Sequence, residues 1–151
     1  MLKTILVRLT ILLVLFSKHI SSHKGAYTTY EELVSDLNEL TTKHPNKTHL
    51  YSIGKSVEGR DLWVLAIANS EPSSHQLLRP EVKLIGNIHG NELPTGEILL
   101  DFIHLMLENP ENDTRLDEIL DTMRVHILVS MNYFFKIIFF WRREILDIDL
   151  Y

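Results

Sequence analysis

The sequence predicts an α/β domain in which helices pack against a mixed β-sheet. Short apolar runs with the character of strands alternate along the chain with segments whose apolar residues recur every three or four positions. The chain has 151 residues, of which 45% are hydrophobic and 23% are charged. This length and composition are typical of one globular domain and exclude a chain that is disordered throughout.

The first predicted element is a helix over residues 27–44. Thr28 or Thr29 can cap it, because a glutamate follows each of them three positions later, as in a capping box. The proline at position 45 ends the helix. Apolar residues at 3-4-3 spacing form its buried stripe: Tyr30, Leu33, Leu37 and Leu40.

Two strands and then a third are predicted next. The runs Thr48–Ile53 and Leu62–Ala68 flank the turn Glu58–Asp61, which predicts a hairpin. The second run is apolar throughout, so we expect it to be buried on both faces. A polar loop over Asn69–Pro80 leads to a third strand over Glu81–Ile88.

Two helices and a fourth strand complete the pattern. Helical periodicity predicts a helix over Ile98–Leu107, and Pro94 suits its first turn. After the polar loop Asn109–Asp113, we expect a short helix at Leu116–Leu120 and a strand at Arg124–Val129.

The two ends of the chain differ from the domain predicted over residues 23–132. Residues 1–22 have a basic start, the apolar run Leu9–Phe16 and small residues after it, which is the order of a secretory signal peptide. The run is shorter than the roughly 20 residues of a membrane span, although a signal anchor or a buried helix remains open. We therefore expect a secreted, extracellular chain without a membrane span. Residues 133–151 form an atypical apolar tail, interpreted as a buried strand or as an extension foreign to the domain.

Charge and composition exclude several functions. The formal net charge of −5 argues against a nucleic-acid partner, which requires a basic patch. The absence of cysteine excludes disulfides, a thiolate nucleophile and cysteine-ligated zinc, so His, Asp and Glu remain as metal ligands. Sequons at Asn46 and Asn112 agree with secretion and predict N-glycosylation there.

His89 and Glu92 are the candidate metal ligands. They lie between the third predicted strand and the following helix, where ligands collect in open α/β sheets. An imidazole and a carboxylate three residues apart can converge on one cation, and Gly90 permits a tight turn. Hydrolytic zinc sites often combine two histidines, one glutamate and a water. The spacing alone leaves open that Glu92 serves the helix N-terminus and that His89 is an ordinary loop histidine.

Four stretches together resemble the zinc metallocarboxypeptidase family, in particular its regulatory branch (carboxypeptidases E, D, N and M). They are Tyr27–Leu40, Ile53–Ala68, Leu84–Leu100 and Thr122–Asn132. The third stretch, LIGNIHGNELPTGEILL, is similar to the family's motif for its first two zinc ligands. The resemblance implies an incomplete, N-terminal portion of the catalytic domain, with His89 and Glu92 as two of three protein ligands of zinc. It also implies hydrolysis at peptide or protein C-termini, with Lys or Arg as the residue removed.

The sequence departs from the family pattern at two places. After Asn132 the family continues with Pro-Asp-Gly, whereas residues 133–135 are Tyr-Phe-Phe. The third zinc ligand, the substrate-binding arginines and the general-base glutamate have no match here, so no catalytic residue is assigned and the chain as it stands is expected to be inactive. Thr95-Gly96 stand where the branch usually has Gly-Arg, and Glu97 matches a family position without an assigned role.

Alternative ligands and functions stay open at this stage. His104 lies twelve residues beyond Glu92, about 18 Å along a helix, which is too far to share a cation. His126 is expected to lie within a strand. The chain is alternatively a non-catalytic secreted binding or decoy protein, or an aspartoacylase-like zinc deacylase. The turn Ser56–Arg60 and the predicted signal peptide argue against the deacylase.

Overall fold

A computed structural model describes residues 27–109 and 112–133, which form three helices and four strands. In chain order these are α1 (Tyr30–Lys43), β1 (Thr48–Lys55), β2 (Asp61–Ile67), β3 (Glu81–Ile85), α2 (Leu93–Glu108), α3 (Thr114–Thr122) and β4 (Arg124–Leu128). The predicted signal peptide and the tail from residue 134 onwards lie outside the described residues. Within the described part, no helix is long and apolar enough to cross a membrane.

The four strands form one mixed sheet in the order β1-β2-β4-β3. The β1–β2 hairpin and the β2–β4 pair are antiparallel, whereas β3 runs parallel to β4. The register places Leu65 opposite Ile127, and Leu84 opposite Ile127 on its other side. Residues paired in this way point to the same face, so one apolar face runs across the sheet. The predicted fold class is therefore confirmed.

The hydrophobic core lies between this face and the three helices. Its buried members come from every helix, from the two central strands and from the residue after β4: Leu33, Leu37, Leu40, Leu65, Ile67, Leu100, Ile103, Met106, Leu107, Leu120, Val125, Ile127 and Val129. Each helix supplies its apolar stripe, as the sequence periodicity predicts.

The helix ends follow local rules. Thr29 caps α1 by accepting a hydrogen bond from the Glu32 backbone N–H at 3.2 Å, and Glu32 returns one to the Thr29 N–H at 2.8 Å. This is the predicted capping box. Helix α2 carries Pro94 in its first turn and ends at Glu108, and the next residue, Asn109, caps it in the left-handed conformation with φ +36°.

Two strand predictions need adjustment. Strand β3 ends at Ile85 rather than at Ile88, because Asn87 is left-handed (φ +47°) and turns the chain away from an extended path. Strand β2 is fully buried only in its second half. The reason is that β4 pairs only with residues 65–67, so the first half of β2 has β1 as its sheet neighbour.

Candidate metal centre

The candidate centre lies in the loop between β3 and α2, at the carboxyl end of β3. Because β3 and β4 are parallel, their carboxyl ends meet at the same edge of the sheet. Backbone hydrogen bonds continue past both strand ends, from Gly86 N to Leu128 O at 2.9 Å, from Met131 N to Gly86 O at 3.0 Å and from Asn132 N to Asn87 O at 3.1 Å. The loop is therefore held against the segment that follows β4.

His89 and Glu92 face one another across a tight turn. The Nδ1 atom of His89 lies 2.9 Å from Oε1 of Glu92, and the His89 backbone N–H donates to Oε2 at 3.3 Å. The Glu92 backbone N–H donates to the His89 carbonyl at 2.8 Å and closes the turn. Both side chains are open to solvent, with exposed fractions of 77% for His89 and 42% for Glu92.

Glu92 directly precedes α2, but its side chain makes no capping hydrogen bond to that helix. The carboxylate bonds to His89 instead. Hydrogen bonds from the His89 side chain and from its backbone N–H hold the pKa of Glu92 below its ordinary value. Glu92 therefore presents an ionised carboxylate at neutral pH, the form in which it can bind a cation.

His104 and His126 have partners outside the His89–Glu92 loop. His104 Nε2 lies 3.0 Å from Asp36 Oδ2, which joins α2 to α1. His126 is buried in β4, and its Nδ1 lies 2.8 Å from the Tyr51 hydroxyl. Neither belongs to the His89–Glu92 loop, as the sequence argument expected.

Sequence reasoning did not identify the residues that support the loop from within. Asn87 is only 2% exposed, and its side-chain amide donates to Ser130 Oγ at 2.7 Å and to the Asn132 carbonyl at 2.9 Å. Its backbone N–H donates to Thr95 Oγ1 at 2.8 Å. No local pattern marks these contacts, because the partners of the Asn87 side chain lie more than 40 positions away in the chain.

The two predicted glycosylation sites lie in surface turns. Asn46 is exposed after the end of α1, and Asn112 is exposed before α3. The hydroxyl of Thr48, the third residue of the first sequon, donates to the His44 carbonyl at 2.7 Å. Glycosylation at both asparagines stays a prediction.

Comparison with known proteins decides the family. The sequence profile of the zinc carboxypeptidases (peptidase M14) matches residues 33–133, which is most of the described chain. The chain belongs to the zinc carboxypeptidase family. This match spans both β3 and β4 and the candidate metal centre between β3 and α2.

Relatives within the zinc carboxypeptidase family are similar in sequence over most of this chain. Carboxypeptidase D of Drosophila melanogaster is 41% identical over 117 residues, covering 78% of this chain and 8% of that protein. The carboxypeptidase N catalytic chain of Rattus norvegicus is 39% identical over 121 residues, covering 80% of this chain and 26% of that protein. The chain thus spans about a quarter or less of the length of these relatives.

Solved structures agree on the zinc carboxypeptidase fold. Thrombin activatable fibrinolysis inhibitor matches with a TM-score of 0.62 and 20% identity, covering 71% of this chain and 26% of that one. Carboxypeptidase A of Helicoverpa armigera matches with a TM-score of 0.62 and 22% identity, covering 83% of this chain and 31% of that one. At these identities the likeness shows the fold alone, and it bears out the mixed sheet with flanking helices.

The family implies zinc, and the imidazole of His89 and the carboxylate of Glu92 are groups that zinc binds. Zinc takes histidine nitrogen and carboxylate oxygen at about 2.0–2.2 Å, so two such donors at a tetrahedral angle lie about 3.3–3.6 Å apart. Nδ1 and Oε1 are 2.9 Å apart, a hydrogen bond that a bound ion would replace after a small outward shift of the two side chains. Across residues 27–109 and 112–133, no group of three or more His, Cys, Asp or Glu side chains is placed to hold a metal. His89 and Glu92 therefore remain a candidate pair of ligands, and the described residues place no third candidate beside them.

Proposed function

We propose that this chain supplies the first part of the zinc site of a secreted carboxypeptidase, with His89 and Glu92 as two of three protein ligands. One observation carries the proposal: the Nδ1 and Oε1 atoms lie 2.9 Å apart and open to solvent, at the carboxyl edge of the sheet. The proposed layout is a signal peptide over residues 1–22, the carboxypeptidase-like domain over 23–132 and the apolar tail over 133–151.

The proposed substrates are the C-termini of peptides or proteins that end in Lys or Arg. Zinc held at this site would lower the pKa of a bound water and polarise the scissile carbonyl. The chain's own contribution is to hold the His89–Glu92 loop against residues 128–132 through backbone hydrogen bonds. The net charge of −5 favours the approach of basic peptides over acidic ones.

By itself the 151-residue chain is expected to be inactive. Within the described residues there is no third ligand, and the sequence assigns no general base, a contribution typically worth 10²–10⁴-fold in rate. The same finding favours a second candidate, a secreted protein that binds zinc or peptides without hydrolysis. No described contact favours the aspartoacylase-like deacylase. Cleavage of an N-acyl amino acid distinguishes that activity from the carboxypeptidase reaction.

Zinc affinity tests the ligand assignment. The affinity of the full chain would be measured by competition with a chromogenic chelator for the wild type, His89→Ala, Glu92→Gln and His75→Ala. His75 is the matched control, because this histidine is also exposed and its Nδ1 lies 2.8 Å from the Glu81 carboxylate. We expect at least tenfold weaker binding for the first two variants and unchanged binding for His75→Ala. Unchanged affinity in His89→Ala would contradict the assignment.

Hydrolysis tests the proposed reaction. The zinc-loaded chain would be incubated with peptides ending in Arg, Lys or Leu and with an N-acyl amino acid, and the products identified by mass spectrometry. We expect no release from any of them. Release of Arg or Lys that is lost in Glu92→Gln would overturn the inactivity and support the carboxypeptidase reaction. Release of the acyl group would favour the deacylase instead.

Secretion and glycosylation have their own test. Expression in a secretory host would place the chain in the medium, and tryptic digestion would release the C-terminal peptide Glu144–Tyr151 (EILDIDLY), which follows Arg143. Enzymatic removal of N-glycans should lower the mass of the wild type. The decrease in mass should be smaller in Asn46→Gln and in Asn112→Gln, because each variant loses one glycosylation site. Retention of the chain inside cells would contradict secretion.

A further inference from the structure

The hydroxyl of Thr95 joins the two sides of the candidate metal loop. It donates to the Glu92 carbonyl at 2.7 Å and accepts from the Asn87 backbone N–H at 2.8 Å. The Thr95 backbone N–H also donates to the Glu92 carbonyl, at 3.0 Å. A hydroxyl has one proton to donate and lone pairs to accept, so this single group satisfies both contacts at once.

The Asn87 end of this bridge is fixed in the interior. Asn87 is 2% exposed and left-handed, and its side-chain amide donates to Ser130 Oγ and to the Asn132 carbonyl. A continuous line of hydrogen bonds therefore runs from Glu92 through Thr95 and Asn87 to the segment after β4. His89 lies in sequence between Asn87 and Glu92, the two residues that these hydrogen bonds connect through Thr95.

Gly96, the residue after Thr95, places no side chain between α2 and the chain after β4. A Cβ at this position would lie 3.3 Å from the Val129 carbonyl oxygen, which is tighter than most contacts. The first turn of α2 therefore packs closely on the chain after β4.

We propose that Thr95 is a positioning residue for the His89–Glu92 pair and acts through its hydroxyl. The inference rests on the proposed zinc site. By fixing the backbone on both sides of His89, the bridge holds the two donor atoms in place before an ion arrives. Partners that orient ligands from outside the coordination sphere typically change metal affinity by 10–100-fold when they are removed.

The test compares Thr95→Val, which keeps the shape and loses the hydroxyl, with Thr95→Ser, which keeps the hydroxyl. Thr41→Val is the matched control, since that hydroxyl donates only to the Leu37 carbonyl within α1. Each full-length variant would be measured for zinc affinity, for hydrogen exchange of the Asn87 amide without metal, and for its thermal midpoint.

For Thr95→Val we expect about tenfold weaker zinc binding and about tenfold faster exchange of the Asn87 amide. Thr95→Ser should restore both to within about threefold, and Thr41→Val should shift only the thermal midpoint. Wild-type zinc affinity or wild-type exchange in Thr95→Val would overturn the role of Thr95. A zinc affinity that His89→Ala leaves unchanged would instead overturn the proposed zinc site, and with it the positioning of ligands by Thr95.

Discussion

Glu97 on α2 binds Thr28, the residue before the cap of α1, through both carboxylate oxygens. Oε1 accepts from the Thr28 backbone N–H at 3.0 Å, and Oε2 accepts from its hydroxyl at 2.7 Å. The two residues are 69 positions apart, so the contact joins the start of one helix to the first turns of the other. Hydrogen bonds to an ionised acceptor are about twice as strong as neutral ones. Glu97, to which the sequence assigned no role, therefore ties the N-terminal segment to the helix that begins after Glu92.

Replacing Glu97 by glutamine should weaken this tie. Gln keeps the size and one acceptor oxygen but loses the charge and the second acceptor, so we expect a decrease of about 1–2 kcal/mol in the free energy of unfolding. Urea unfolding measures the change. Glu118→Gln is the control, because that exposed side chain on α3 should alter stability by less than about 0.5 kcal/mol. Equal stabilities of the two variants would contradict a structural role for the Glu97 carboxylate.

Gly86 should not tolerate a side chain. A Cβ there would lie 2.7 Å from the Val129 carbonyl oxygen and 2.8 Å from Leu99 Cδ1, and the first neighbour is backbone. We expect Gly86→Ala to lower the free energy of unfolding by about 1–3 kcal/mol through overpacking. Gly96→Ala is the comparison, since its closest contact is 3.3 Å and alanine gains helix propensity of up to about 1 kcal/mol. If Gly96→Ala is less stable than Gly86→Ala, the tighter contact predicted at Gly86 is contradicted.

The His104–Asp36 pair should make stability depend on pH. The hydrogen bond with Asp36 raises the pKa of His104 above its ordinary value of 6.5. A raised pKa in the folded state stabilises the protein fully below the unfolded value, and this stabilisation is lost as pH rises through the folded value. Relative to His104→Gln, the wild type should thus lose up to about 1 kcal/mol of stability between pH 5.5 and pH 8.5. Urea unfolding at both values checks this, and parallel pH profiles for the two proteins would refute it.

The ion pair between Glu81 and Arg124 should make stability depend on pH in the acidic range. A hydrogen bond from His75, together with the charge of Arg124, lowers the pKa of Glu81 from 4.5 to about 2. The stabilisation is present above pH 4.5 and is lost as pH falls towards 2. At pH 7, Glu81→Gln should lose about 2 kcal/mol, since it leaves the Arg124 guanidinium, with 9% of its side chain exposed, without its carboxylate partner. The difference from the wild type, followed by urea unfolding, should vanish near pH 2; a constant difference would contradict the ion pair.

The local patterns of the sequence predicted each described element, whereas the contacts between elements could not be read from it. The capping box at Thr29 and the apolar stripes are spaced within one or two helical turns, so periodicity reveals them. The end of β3 was misplaced because the turn depends on Asn87, whose side-chain partners at positions 130 and 132 come together only in the folded chain. The contact of His104 with Asp36 also joins residues that are far apart in the sequence, so no local pattern predicts it.

The candidate site shows the same division. His89 and Glu92 can be proposed as ligands from the sequence because they lie within one turn and follow a strand. The role proposed for Thr95 cannot be read from the sequence, because it depends on where the fold places the Asn87 N–H.

The proposed binding of zinc by His89 and Glu92 together is tested most directly by an NMR titration. Zinc would be added to the full chain while the ring nitrogens of its eight histidines are followed. We expect the His89 ring resonances to shift far more than the other seven, and this shift to disappear in Glu92→Gln at the same zinc concentration. If the His89 resonances do not shift while those of His75 or another histidine do, the zinc site at His89 and Glu92 is contradicted.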